Sequence, residues 1–143
     1  MKNRFSTVLR MLALSLLLAS PLVMLTSCGD DEPKSMVIDY YLNVEEGFLV
    51  NGSIDQTAKY YNPKNRMYNA IRQAYPKPDA QGNDAAVIEA CDREYEEYVG
   101  MYTGLGDHIT CVFNLVRATK KGDIIKQNET IKTYVYDINS TED

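Results

Sequence analysis

The sequence predicts an α+β domain of two layers, an antiparallel sheet of three or four strands with a two-helix pair on one face. Three observations predict it. Beyond residue 27 only four leucines remain, Leu42, Leu49, Leu105 and Leu115, against nine isoleucines, eight valines and all eleven tyrosines. Such β-branched and aromatic side chains fit a pleated, half-covered surface. Period-two alternation flanks a central stretch of helical spacing, and turn and cap residues between them give the order β-(β)-α-α-β-β. A ferredoxin-like arrangement is the weaker alternative, because it requires a strand between the helices and 75–83 offers none.

Each element follows from local signals. Met36, Ile38, Tyr40, Leu42 and Val44 alternate with Val37, Asp39, Tyr41 and Asn43, which makes a strand with one apolar face. Glu46-Gly47 breaks it. Phe48-Leu49-Val50 is short and apolar before the turn pair Asn51-Gly52, so 47–57 forms either a second short strand or a cover for the core. Asn62-Pro63 reads as an N-cap with proline at the first helical position. Met67, Ala70, Ile71 and Ala74 then recur at helical spacing until Tyr75-Pro76 ends the helix. After the loop 77–82, Asn83 or Asp84 caps a second helix. Its stripe is Val87, Ala90 or Cys91, Tyr95, Tyr98 and Tyr102, and its end is expected near Gly100. Ile109, Cys111, Phe113 and Leu115 alternate with residues that are also partly apolar, which marks a central strand. Lys120-Lys121-Gly122-Asp123 is a turn, and 131–136 is the last strand of a hairpin, with Ile124-Ile125 either lengthening the connection or adding pairing.

The two helices carry opposite charge. Lys59, Lys64, Arg66, Arg72 and Lys77 are met by no acid between 59 and 77, whereas Asp84, Glu89, Asp92, Glu94, Glu96 and Glu97 are opposed only by Arg93. Mutual matching within a helical hairpin is the expectation, at well under about 1 kcal/mol per exposed pair.

The first segment is an address. Lys2, Arg4 and Arg10 precede an apolar run from Met11 to Leu25, interrupted by Pro21. This is too short and broken for a comfortable membrane span and has the form of a signal peptide. It ends in Leu25-Thr26-Ser27-Cys28, which resembles the lipobox of bacterial lipoproteins. That resemblance implies cleavage before Cys28 and lipid attached to it. The following Gly29-Asp30-Asp31-Glu32 resembles the export signal of surface-exposed Bacteroidota lipoproteins, which implies an outer-membrane anchor with the domain facing the exterior, the periplasmic face being the alternative. The expected organisation is a signal peptide at 1–27, an acidic tether at 28–35, a folded domain at 36–138 and a polar tail at 139–143.

Removing residues 1–27 takes three of the fifteen bases and none of the twenty acids, so the balance moves from −5 to −8. Net acidity disfavours nucleic acid as a partner. With Cys28 committed to lipid, Cys91 and Cys111 are an even pair in an oxidising context and a candidate disulfide, worth about 3 kcal/mol in the chain-entropy picture; the alternative is two small buried thiols.

Chemistry is sparse. His108 is the single histidine; its neighbour Asp107 projects to the other face of a strand and cannot orient it simply. Asp92, Glu94, Glu96 and Glu97 read as a solvated helix face rather than a glycosidase pair. Gly100, Gly104 and Gly106 follow a helix instead of joining a strand to one, so they form no phosphate cradle. Asp30, Asp31 and Glu32 lack the ligand alternation of a calcium loop. No catalytic residue, metal site or cofactor is assigned. The excess of tyrosine has two readings: amphipathic residues covering a small sheet in a chain without tryptophan, or a binding signal in which Tyr41, with Tyr134 or Tyr136, forms an exposed face suited to protein or sugar. The expected role is a non-enzymatic, lipid-anchored binding protein with a protein or glycan partner. The alternative is an immunity-type or inhibitor lipoprotein whose acidity steers it to a basic toxin or protease.

Overall fold

The structure, a computed structural model, describes residues 34–141. Residues 1–27, Cys28 and the acidic cluster at 30–32, on which the signal-peptide and lipidation expectations fall, lie outside the described residues. Residues Ser35–Asp143 are a compact unit whose core side chains all fall between Ile38 and Ile138, so this part carries a closed core of its own.

Three strands form one antiparallel sheet in the order β1-β2-β3: β1 Met36–Val50, β2 Ile109–Lys121 and β3 Ile124–Ile138. Two helices, α1 Pro63–Ala74 and α2 Asp84–Tyr102, lie between β1 and β2 in sequence. The architecture is the α+β layering that the alternation and helical spacing predict. Phe48-Leu49-Val50 belongs to β1 rather than to a separate strand; register shifts after Val44 and Glu46 absorb the break at Glu46-Gly47. Asn51 and Gly52, at φ +50° and +74°, turn the chain back to a single bridge with Ser53, and a short 3-10 turn follows at Thr57–Lys59.

Both helix starts carry the caps that the sequence indicates. The Asn62 side chain accepts from Lys64 N and the Asn83 side chain from Ala86 N, each satisfying an otherwise orphaned amide. Gly100 does not end α2, which runs to Tyr102 with Thr103 as its C-cap. The β2–β3 hairpin is far longer than its apolar alternation. It closes on Gly122-Asp123, with Gly122 at φ +61°, the two-residue turn in which glycine supplies the positive φ.

The outer edge of β1 is met at Ile38 by the loop between the helices, through a single bridge to Asp79. Ile38 N donates to Asp79 O at 2.6 Å and Asp79 N to Tyr75 Oη at 2.7 Å. The Asp79 carboxyl accepts from Gly82 N and Gln81 N, which with Tyr75 hold it below the usual carboxylate range. Tyr40 Oη accepts from Asn83 N and donates to Asp84, so the start of α2 is pinned to the middle of β1.

Gly82 is what lets the loop approach. It sits at φ +71°, and a Cβ there would fall 2.6 Å from Tyr40 Oη and 2.8 Å from Ile38 Cγ2. Gly82→Ala is expected to cost about 1–3 kcal/mol through strain and displaced core contacts. Gly52→Ala, at φ +74° with open space around it, is expected to cost less. Urea denaturation of both variants checks the order.

Candidate functional site

The hairpin register decides what the sheet shows to each side. Cys111 pairs with Tyr136 and Phe113 with Tyr134, so both tyrosines share the inward face of Cys111 and Phe113. Tyr134 is 3 % exposed and Tyr136 1 %. They pack against α2 in a tyrosine layer: Tyr136 meets Tyr98 edge-on at 5.4 Å and Tyr95 at 4.9 Å, and Tyr95 lies 5.8 Å from Tyr134. The expected binding face of Tyr41, Tyr134 and Tyr136 is therefore corrected. Only Tyr41 lies on the far face of the sheet, half-buried opposite Val116, and Val135 takes the exposed position expected of its tyrosine neighbours. The reason is parity: both faces of β3 carry apolar candidates, and the small Ala90 and Cys91 of α2 accompany the large rings in the core.

Of the two readings of the cysteine pair, the structure has the buried thiols and not the disulfide. Cys91 and Cys111 are free, fully buried thiols, serving as small apolar groups beneath the tyrosines. Burial raises each to about 12, with Asp92 and Glu94 adding to the effect at Cys91.

His108 does not use Asp107. Asp107 accepts from Asn51 Nδ2 at 2.7 Å and from Tyr60 Oη, knotting the 51–56 turn to the loop before β2. His108 Nε2 instead lies 2.6 Å from Asp137 of β3. Both members are exposed, at 42 % and 55 % of their side chains, and among the described residues no hydroxyl or thiol hydrogen-bonds the imidazole. The pair supplies a base and its orienting carboxylate without a nucleophile.

The concavity that stands out lies elsewhere, between α2 and the edge strand β3. It has a volume of about 430 Å³ and is lined by Asp92, Tyr95 and Glu96 from the helix and by 132–135 from the strand. The helical three stand at i, i+3 and i+4, one face. The strand residues come from both sides of the sheet, so the groove wraps its free edge. Lys132 Nζ lies 2.7 Å from Asp92 Oδ1, and Tyr134 Oη donates to the same oxygen at 2.7 Å. Burial, then the hydrogen bond to Asp92, pushes the Tyr134 phenol far up. Tyr95 Oη donates to the Val135 carbonyl at 2.9 Å and ties helix to edge. Glu96 joins no ion pair among the described residues. The groove thus offers a self-matched charge pair, a spare carboxylate, an aromatic wall and an exposed valine beside strand backbone at the sheet edge.

The acids of α2 are matched more widely than a helical hairpin requires. Arg66 of α1 takes Glu94 at 2.8 Å and Glu97 at 3.2 Å, while Asp84 and Asp92 turn to Arg117 and Lys132 of the sheet. Arg117 Nε lies 3.2 Å from Asp84 yet makes no aligned hydrogen bond, so that contact is charge proximity alone. Asp92, Tyr95 and Lys132 carry no signal of a site in the sequence, because only the docking of α2 on β3 brings them together.

The chain matches no known protein family, no curated protein and no solved structure.

With both thiols buried, a thiol reagent is expected to find neither Cys91 nor Cys111 reactive in the native protein and both reactive after denaturation. A disulfide would leave none in either state without reductant, and native reactivity of two thiols would contradict their burial.

Proposed function

We propose that the protein is a non-enzymatic lipoprotein, held in the outer membrane by lipid on Cys28 and exposed at the cell surface, that binds an extended polypeptide segment of a partner along the groove at β3. The observation that carries the binding half is the groove itself, which follows a sheet edge with no strand beside it among the described residues. A partner strand laid there finds backbone donors and acceptors to either side of the Val135 carbonyl that Tyr95 already holds, the exposed Val135 side chain and the wall of Tyr95, which is the logic of β-augmentation. The polar lining, with Lys132 already matched by Asp92 and Glu96 left open, favours a segment that brings its own cation. Polypeptide is preferred to glycan because the free edge addresses backbone, whereas a sugar site needs no strand edge. The anchoring half is supported by the order of basic residues, apolar run and Leu25-Thr26-Ser27-Cys28 in the sequence.

Two measurements test the halves separately. Cys28→Ser is expected to move the protein out of the membrane fraction; retention there would contradict lipid anchoring. A photo-crosslinking side chain at Val135 is expected to capture one polypeptide in intact cells, and Tyr95→Ala with Glu96→Lys to abolish the adduct. An adduct unchanged by those substitutions would contradict the groove. The charge pair itself is exposed enough that Lys132→Met should cost the fold no more than about 1 kcal/mol.

A further inference from the structure

The far end of the hairpin carries apolar side chains that the fold leaves in water. Ile124 is 62 % exposed, Ile125 47 % and Met36 47 %. The register brings them together. Met36 pairs with Lys121 and Lys121 with Ile124, while Val37 pairs with Lys120 and Lys120 with Ile125. The last two rows of the sheet are therefore apolar residues flanking lysine, one row turned to each face. Lys126 follows in sequence, and Lys121 and Lys126 join no ion pair among the described residues; Lys120 is held by Asp39 at 2.5 Å. Asp123, in the turn, is the acid at this tip.

This is also the end at which the chain enters the domain. Met36 opens β1, eight residues after Cys28, and eight residues span at most about 28 Å. A lipid on Cys28 therefore keeps the Met36 row within about 28 Å of the bilayer, in reach of it. We propose that the tip formed by Met36, Ile124 and Ile125 seats in the interfacial region of the membrane that holds the anchor, with the aliphatic stems of Lys121 and Lys126 beside it and their ammonium groups at the lipid phosphates. The proposal rests on the reading of Cys28 as the lipid site. Its chemistry is that of apolar side chains entering the headgroup boundary while long basic ones keep their charge in water. The membrane, rather than a second copy, is the occupant because of the short tether and the lysines around the apolar row. One consequence is orientation. The groove lies some eight to ten residues farther along β3, which at the strand rise is roughly 25–30 Å. A seated tip would hold the groove that far above the lipid.

The chain contains no tryptophan, so one introduced tryptophan reports alone. The probe is Ile124→Trp in the mature chain, residues 28–143, whose core is closed without the signal segment. It is coupled through Cys28 to vesicles of phosphatidylethanolamine and phosphatidylglycerol bearing a maleimide lipid. Cys91 and Cys111 are fully buried and do not compete for coupling. Leu105→Trp, in the exposed loop before β2, is the reference. Brominated lipid is expected to quench the fluorescence of the Ile124→Trp variant several-fold more than that of the Leu105→Trp variant. A blue shift is expected in the Ile124→Trp variant alone, and adding Lys121→Glu with Lys126→Glu to it is expected to reduce the quenching. Equal quenching of the two variants overturns the proposal. So does a blue shift of the Ile124→Trp variant without quenching, which would mean that the tip is covered by protein. Chemical coupling supplies the anchor here, so failure of this test is distinct from failure of natural lipidation, which the Cys28→Ser fractionation reads.

Discussion

Everything inside this domain depends on the register of the β2–β3 hairpin. Gly122-Asp123 closes the hairpin in two residues, and the ladder from there, corrected by slips beside Leu115 and Thr119, delivers Tyr134 opposite Phe113 and Tyr136 opposite Cys111. A slip of one residue would reverse every side chain of β3. Val135 would turn inward, both tyrosines outward, and Lys132 would lose Asp92. The tyrosine layer is thus a consequence of pairing, and the groove is a consequence of the layer: with Tyr134 inward, its hydroxyl reaches Asp92 and its neighbour Lys132 follows.

The inward tyrosines explain how a chain poor in leucine and lacking tryptophan fills its core. Tyr40, Tyr98 and Tyr136 are among its largest fully buried side chains, and edge-to-face contacts add to simple burial. Buried hydroxyls need partners: Tyr40 reaches Asp84, Tyr98 reaches Tyr61 O, Tyr134 reaches Asp92. Tyr136 Oη has none among the described residues, and its surroundings include both thiols, which are weak partners at best.

Local rules made much of this legible. The alternation at 36–44, the caps at Asn62-Pro63 and Asn83, and the turn at Gly122-Asp123 each follow from chemistry within a few residues. The orientation of Tyr134 and Tyr136 did not, because β3 carries apolar candidates on both faces and only its partner strand selects between them. The strand lengths were hidden for a related reason: 124–130 is exposed throughout and pairs through its backbone without an apolar pattern to announce it. The groove was hidden because Asp92 and Lys132 are forty residues apart in sequence, and as single residues they are ordinary surface charges. Cys91 and Cys111 satisfied the arithmetic of a disulfide but stand as separate thiols.

A spectrophotometric titration of tyrosine tests the central claim, that Tyr98, Tyr134 and Tyr136 form a buried layer and Tyr40 is buried with them in the core. Burial, first among the causes, raises Tyr40 to about 12 and Tyr98, Tyr134 and Tyr136 further still. A phenol held above its unfolded value of about 10 stabilises the fold fully below that pH, and this contribution is lost as pH climbs through the folded value. The buried phenols are expected to ionise only at strongly alkaline pH, together with loss of the near-ultraviolet circular dichroism. Ionisation of all eleven tyrosines in one step near pH 10, with the folded signal intact, would contradict the buried layer.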